Sequence, residues 1–249
     1  MSPRSLQFLT AEWRHLAMLN FEIDPKILEP LVPRGTELDV WNGKFLVSVV
    51  GFLFQDTRLL GSPIPFHRNF EEVNLRFYVR CRTPEGWRRA VVFVKELVPR
   101  RAIAWAANLF YNENYLALPM GHRLVNDPAQ NRTTVSYWWR TRGRKNHLEM
   151  EVEGEPLPIE DGSHEEFITE HYWGYCRQRD GGTMEYEVEH PRWRVRPAKT
   201  FRLDCDVAGL YGSPFVSYLQ AAPVSAFLAE GSKVIVFKGS RLALESFAP

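Results

Sequence analysis

The feature that most constrains the fold is a strict two-residue alternation of polar and apolar side chains over residues 72–81. The polar positions of this run are Glu72, Asn74, Arg76, Tyr78 and Arg80. The positions between them carry valine, leucine, phenylalanine and cysteine. Because successive side chains of a strand point to opposite faces, the run predicts a β-strand with one polar and one apolar face. Thr83-Pro84-Glu85-Gly86 then predicts a turn, with a return strand over residues 88–98.

Short strand-like runs recur along the chain, separated by Gly and Pro turns. We predict further strands over residues 13–21, 44–53, 133–141, 147–153, 172–179, 183–189 and 233–238. Asn42-Gly43 and Gly181-Gly182 predict two-residue hairpin turns. We predict only three helices, over residues 25–31, 101–112 and 165–171. This balance favours an antiparallel barrel or sandwich, and no linker or repeat divides residues 1–249, so we expect a single domain.

Composition excludes several classes of function. The formal net charge of +1 argues against a protein that binds nucleic acid or a membrane surface through bulk charge. Three cysteines without C-x-x-C spacing indicate free thiols in a reducing compartment. No secretory signal or membrane-spanning apolar run is visible, so we expect a cytoplasmic protein that contacts no membrane.

The common signatures for nucleotides, metals and hydrolytic nucleophiles are absent, so we predict no cofactor and no metal. The nearest approach to metal-ligand spacing is His164 and His171, which would share one face of a helix. The same segment is also typical of a charged surface helix, and we favour that interpretation.

The polar face of residues 72–80 has two interpretations. Antiparallel sheets commonly expose one polar face to solvent. Alternatively, the face lines a polar barrel interior, where Glu72, Asn74 and Arg76 converge on a ligand. In that case the arginine would bind a carboxylate or phosphate through two parallel hydrogen bonds.

The return strand raises the same question at Lys95 and Glu96, which follow the apolar run Ala90–Val94. Adjacent residues of a strand point to opposite faces, so these two cannot pair with each other. Either burial ends at Val94 and both charges reach solvent, or one of them faces the cavity that Glu72 and Arg76 would line.

Several segments resemble the uncharacterised DUF2071 (YqjF-like) family, placed in the acetoacetate decarboxylase-like superfamily. They are Trp13 to Phe21, IDPKILEPLVPRGTELDVWNGKFLVSVVGF, VNLRFYV, VVFVKELVPRRAIAWAANLFYNENY, FITEHYWGYCRQRDGG and EHPRWRVRPA. The resemblance implies a mainly antiparallel β fold that closes into a barrel or cone around a central cavity, with a few peripheral helices. It also implies a tendency to form homo-oligomers, and it matches Glu72 to a glutamate on the cavity strand of the superfamily.

The resemblance does not supply an activity. Acetoacetate decarboxylases form a Schiff base on a lysine that belongs to a Lys-Lys pair, just after a proline and beyond the helix. The nearest counterpart here is Ala117-Leu118-Pro119 followed by Met120-Gly121, which carries no amine.

Three hypotheses about function remain at this stage. The first is a barrel cavity that binds a small organic acid through Arg76, with Glu72, Asn74, Lys95 and Glu96 as further ligand-binding candidates. The second is an imine-forming decarboxylase or aldolase that uses Lys95 as a migrated lysine. The third is a structural or interaction protein whose barrel is filled by aromatic side chains, since the chain contains eight tryptophans.

Overall fold

The computed structural model describes residues 6–110 and 112–243, without the side chains of residues 106, 107, 109 and 110. Its strands are β1 (Gln7–Glu22), β2 (Glu37–Leu38), β3 (Leu46–Leu59), β4 (Ser62–Pro63), β5 (Phe70–Thr83), β6 (Gly86–Val98), β7 (Tyr115–Ala117), β8 (Met120–Asp127), β9 (Arg132–Thr141), β10 (Arg144–Glu153), β11 (Leu157–Pro158), β12 (Trp173–Arg177), β13 (Thr183–Glu189), β14 (Arg194–Asp204), β15 (Ser225–Phe237) and β16 (Ser240–Arg241). Its helices are α1 (Pro25–Leu28), α2 (Arg101–Phe110), α3 (His164–Thr169), α4 (Val207–Tyr211) and α5 (Val216–Leu219). Short 3₁₀ turns cover Glu29–Leu31, Pro128–Gln130 and Ser213–Phe215.

Seven strands of the described chain form a closed barrel. Their order is β13-β12-β6-β5-β3-β1-β15, and β15 pairs again with β13 through Val188–Val236 and Glu189–Ile235. Every neighbouring pair in this ring is antiparallel except β12 and β6. Closure leaves no free edge in the ring. The prediction of a mainly antiparallel barrel with few helices is therefore confirmed.

A second layer, formed by β14, β10, β9 and β8, continues from β15 and covers one side of the barrel. Tyr137 and Met150 from this outer sheet join one apolar core with Val49 and Phe77 from the barrel wall. A separate apolar core lies on the other face of the wall and includes Phe52. The wall strands are therefore buried on both faces, and this is why β3 is apolar along most of its length.

Most predicted turns and helix starts are confirmed. The Asp24 side chain accepts a hydrogen bond from the Lys26 backbone N–H at the start of α1. The glycine pair at 181–182 joins the antiparallel strands β12 and β13. The apolar α2 face predicted through Ala106, Ala107 and Phe110 lies outside the described side chains.

Two local predictions were wrong. The Asn42-Gly43 turn forms, but only the single bridge Trp41–Lys44 joins its arms, and β2 pairs with β5 instead. The helix predicted over residues 165–171 covers His164–Thr169, so His171 lies beyond its end and does not share its face with His164.

Gly51 sets how closely the outer sheet approaches the barrel. A Cβ atom at this position would lie 2.6 Å from the ring of Tyr137. We expect Gly51→Ala to lower the free energy of unfolding by about 1–3 kcal/mol, because the added methyl group overpacks a buried contact. Urea unfolding measures this change. In Tyr137→Leu the same substitution should cost clearly less, and equal costs in the two backgrounds would contradict the account.

Candidate functional site

The barrel encloses a cavity of about 510 Å³, a volume within the range of small-molecule sites. Much of its wall is aromatic and includes Trp13, Phe52, Phe54, Phe70, Phe93, Trp173 and Trp193. The polar part of the wall includes Glu72, Asn74, Arg76, Glu96, Glu113, Tyr115, His171 and Tyr186. The barrel is therefore hollow, and aromatic side chains line it without filling it.

Strand β5 supplies one polar strip of this wall. Glu72, Asn74 and Arg76 are buried and line the cavity. The alternating apolar residues of β5 join the core against the outer sheet. Asn74 Nδ2 donates a hydrogen bond to Glu72 Oε1 at 2.9 Å, which fixes both side chains. The part of the polar face at residues 72–76 thus lines the cavity, whereas Arg80 at the other end of the face pairs with Glu37 away from it.

A β-bulge decides which of the two charged residues on β6 reaches the cavity. Arg76 lies opposite Phe93, but Leu75 lies opposite Lys95, so Val94 is an extra residue in the pairing. Lys95 therefore faces away from the cavity with Leu75, whereas Glu96 lies opposite Asn74 and lines it. The structure places Lys95 outside the described lining residues, half-buried on the other face of the wall.

The segment after α2 adds two groups that the sequence did not single out, Glu113 and Tyr115. Asn108 holds this segment: its side chain accepts from the Tyr115 backbone N–H and donates to the Tyr115 carbonyl. Asn114 Nδ2 also donates to the carbonyl of the bulged Val94 at 2.8 Å. The Tyr115 hydroxyl donates to Glu72 Oε2 at 3.3 Å, which joins this segment to β5.

Strand β13 contributes Tyr186, whose hydroxyl donates to Glu113 Oε1 at 3.1 Å. The ring of Tyr186 lies across Gly174 on β12, where a Cβ atom would come within 2.2 Å of it. A residue with a side chain at position 174 would displace the tyrosine. Glycine at this position therefore lets the hydroxyl reach the carboxyl group.

The three glutamates of the wall have raised pKa values. Burial raises the pKa of Glu72 to about 7, although hydrogen bonds from Asn74 and Tyr115 and the charge of Arg76 oppose the shift. Burial, with the charge of Glu72, raises the pKa of Glu113 to about 8. The pKa of Glu96 lies well above its ordinary value because of burial and the charges of the other two glutamates. At neutral pH this cluster therefore carries fewer than three negative charges.

Arg76 is the only arginine or lysine among the described lining residues. One of its terminal nitrogens donates to the Ile168 carbonyl at 3.1 Å, and its guanidinium lies 5.7 Å from the centre of the Tyr78 ring. Within the described ranges, no carboxylate oxygen lies within 4.0 Å of Arg76 in an ion pair. His171 is buried nearby, and burial lowers its pKa to about 4, so this ring is neutral.

Several buried polar atoms of the wall have no hydrogen-bond partner within residues 6–110 and 112–243. They are Trp13 Nε1, Thr57 Oγ1, Asn74 Oδ1, Arg76 Nε, Glu96 Oε2 and both ring nitrogens of His171. Buried polar groups are normally hydrogen-bonded. The cavity thus presents donors and acceptors that a small polar molecule can satisfy.

The described residues contain no group of three or more His, Cys, Asp or Glu side chains arranged to hold a metal ion. His164 Nε2 instead lies 2.8 Å from Ser225 Oγ, and its ring meets that of Trp41 edge-on. None of the helices in the described ranges has the length and apolar character that crossing a bilayer requires.

Solved structures with the same fold define the class. The acetoacetate decarboxylase of Legionella pneumophila superposes with a TM-score of 0.63 at 12% identity, covering 95% of this chain and 87% of that one. The enduracididine biosynthesis enzyme MppR in complex with pyruvate superposes with a TM-score of 0.67 at 11% identity, covering 97% of this chain and 93% of that one. The fold is therefore acetoacetate decarboxylase-like.

Within that class, the chain belongs to the DUF2071 family of uncharacterized conserved proteins, whose family model matches residues 10–233. The uncharacterized protein YqjF of Bacillus subtilis (strain 168) is 25% identical over 202 residues, which cover 79% of this chain and 78% of YqjF. Between the end of α2 and the start of β8, the described residues that line the cavity are Glu113 and Tyr115, whereas Met120 at the start of β8 packs against the core between the barrel and the outer sheet.

The raised pKa of Glu72 predicts that stability depends on pH. Its folded-state pKa of about 7 exceeds the ordinary value of 4.5, so the fold favours the neutral acid. This stabilisation is complete below about pH 4.5 and is lost as the pH rises to about 7. Glutamine does not titrate. Between pH 5 and pH 8 the free energy of unfolding of the wild type should therefore fall by about 2 kcal/mol more than that of Glu72→Gln.

Urea unfolding at both pH values measures this difference. Glu149→Gln, at an exposed position on β10, is the control and should follow the wild type at both pH values. If Glu72→Gln lost as much stability as the wild type between pH 5 and pH 8, Glu72 would not be the titrating group.

Proposed function

We propose that the barrel cavity binds a small organic acid with an apolar portion, and that Arg76 holds its carboxylate. The observation that carries this proposal is a buried guanidinium at the wall of a hollow barrel, with Nε free of any described hydrogen-bond partner. A buried cation that forms no close ion pair is costly, and an incoming carboxylate in contact with the guanidinium offsets that cost. Arginine also matches a carboxylate geometrically through parallel N–H donors.

The aromatic wall supports an apolar portion in the ligand. Trp13 contacts Phe52, Phe54 and Trp193 edge-on, with ring centres 5.4 Å, 5.8 Å and 6.4 Å away. These rings form an apolar surface that adjoins the polar strip, because Phe52 pairs directly with Glu72 between β3 and β5. A ligand that fills both regions gains burial of apolar surface and an anchored carboxylate at once.

The carboxyl cluster is compatible with an acid at Arg76. Near neutral pH Glu72 is about half protonated, and Glu113 is mostly protonated, because burial raises the pKa of each. A neutral carboxyl group donates a hydrogen bond and does not repel an anion. The solved complex of MppR with pyruvate, a small carboxylate, supports the same ligand class for this fold.

Arg76→Met tests this proposal with 3-phenylpropionate and its uncharged amide as probes. The wild type should bind the acid and show a raised melting temperature, whereas the amide should bind at least tenfold more weakly. Arg76→Met should lose about 10- to 100-fold in affinity for the acid, since a charge-assisted hydrogen bond contributes about 1.5–3 kcal/mol. Isothermal titration calorimetry measures both affinities.

Two further variants keep this test interpretable. Arg76→Lys retains the charge without the fork of donors and should bind the acid with intermediate affinity. Arg80→Met lies on the same strand but removes a guanidinium that pairs with Glu37 away from the cavity, so its affinity should equal that of the wild type. Unchanged binding of the acid by Arg76→Met would contradict the proposal.

Reductive trapping separates this proposal from an imine-forming enzyme. None of the described lining residues is a lysine, so no amine in the wall can condense with a keto acid. After treatment with sodium borohydride and pyruvate or acetoacetate, the intact mass should remain that of the untreated protein. A covalent adduct that disappears in Lys95→Ala would instead identify Lys95 as an imine-forming residue.

A further inference from the structure

The charges of the cavity wall do not balance. Glu72, Glu96 and Glu113 line the same cavity, and Arg76 is the only arginine or lysine among the described residues that face them. Burial raises the pKa of Glu96, and the charges of Glu113 and Glu72 raise it further, as is expected for carboxyl groups that line one cavity. An acid bound at Arg76 neutralises the one cation and leaves the carboxyl groups without a counterion.

The unpartnered atoms point to a hydrogen-bond donor in the ligand. Asn74 and Glu96 are direct cross-strand neighbours, and each is only 2% exposed. Asn74 Oδ1 and Glu96 Oε2 have no hydrogen-bond partner among the described residues. Asn74 Nδ2 donates to Glu72, so Oδ1 is the amide atom that is left without a partner. An amide oxygen can only accept a hydrogen bond. The observation on Asn74 is independent of the carboxyl cluster, since an amide oxygen never ionises.

The acceptors and the guanidinium lie near each other. Asn74 and Arg76 are two residues apart on the same face of β5, so their Cα atoms are separated by about 7 Å along the strand. A ligand with a carboxylate at Arg76 therefore places groups a few bonds away against Asn74 and Glu96. An ammonium group brings three N–H donors and one positive charge to that position.

We propose that the organic acid bound at Arg76 also carries a cationic nitrogen, which lies against Asn74 Oδ1 and the carboxyl groups of Glu96 and Glu113. The cavity thus selects zwitterions with an apolar substituent, such as amino acids, over plain acids of the same size. This inference rests on the proposed function, because it requires a carboxylate at Arg76. Its own content is the second, cationic subsite.

The subsite makes binding depend on pH in a diagnostic way. The titratable and charged groups that face it come from β5, β6, the segment after α2, the segment before β12, and β12 and β13; they are Glu72, Arg76, Glu96, Glu113, Tyr115, His171, Cys176 and Tyr186. Burial holds the tyrosines and the cysteine neutral, because it raises their pKa values. Among these groups, Glu72 and Glu113, with pKa values of about 7 and about 8, change charge between pH 6 and pH 8.

The direction in which each affinity changes with pH depends on whether the ligand binds better to ionised or to neutral glutamates. A cationic nitrogen binds the ionised carboxylates more tightly, so the affinity for a zwitterion should rise from pH 6 to pH 8. A plain acid is repelled by the same ionisation, so its affinity should fall over that range. The ratio of the two affinities should therefore increase about tenfold or more.

Four probes that share a phenyl ring test the inference by isothermal titration calorimetry at pH 6, 7 and 8. They are L-phenylalanine, 3-phenylpropionate, 2-phenylethylamine and 3-phenylpropionamide. At pH 8 phenylalanine should bind about tenfold more tightly than phenylpropionate, which lacks the ammonium group. It should also bind more tightly than phenylethylamine, which lacks the carboxylate. In Glu96→Gln and in Glu113→Gln the preference for phenylalanine over phenylpropionate should shrink at least fivefold, whereas Glu149→Gln should retain it.

Each outcome has a defined meaning. If phenylpropionate binds as tightly as phenylalanine at every pH, the cationic subsite is wrong and the carboxylate site at Arg76 stands. If phenylethylamine binds and neither acid does, or if no probe binds, the proposed function fails and this inference fails with it. Melting temperatures without ligand identify a variant that has not folded, and the second glutamate variant then decides the comparison.

Discussion

The architecture depends on a barrel wall that is buried on both faces but carries opposite chemistry on each. On β5 the apolar residues Val73, Leu75 and Phe77 pack against the outer sheet, while Glu72, Asn74 and Arg76 face the interior. Burying such polar side chains is costly unless they are hydrogen-bonded. Two hydrogen bonds within the wall offset part of this cost: Asn74 donates to Glu72, and Arg76 donates to the Ile168 carbonyl. The buried polar atoms that remain without a partner in the described chain are the basis of the proposed binding of an organic acid.

The sequence alternation predicted which residues of β5 share a face, but not which face is inside. A solvated antiparallel sheet has the same alternation. The distinction lies in the outer sheet, and two of its strands, β8 and β14, were not predicted. β14 contains Pro197 and five charged residues, and much of it is exposed, so it lacks the apolar periodicity of a strand. The outer sheet covers the apolar face of β5, so the polar face is the one that points into the barrel. Because the outer sheet was only partly predicted, the sequence did not show this orientation.

The charged residues of the site show a second limit of pattern reading. Simple alternation from Phe93 would bring Lys95 into the cavity, and the bulge at Val94 brings Glu96 there instead. A bulge adds one residue to a strand and leaves no reliable mark in a single sequence. Glu113 had no pattern at all, because it lies in an irregular segment that Asn108 and Asn114 tie to neighbouring backbone. Together with Glu72, these two carboxyl groups form an acidic cluster in the cavity that also contains Arg76.

The most direct test of the central claim is a crystal structure of the protein with 3-(4-bromophenyl)propionate. If Arg76 binds the ligand carboxylate, we expect an anomalous bromine peak among the aromatic rings of the barrel cavity and a carboxylate oxygen about 3 Å from Arg76 Nε. The bromine reports the position of the apolar end independently of the carboxylate. A bromine peak outside the barrel, or a carboxylate that contacts no atom of Arg76, would contradict the account.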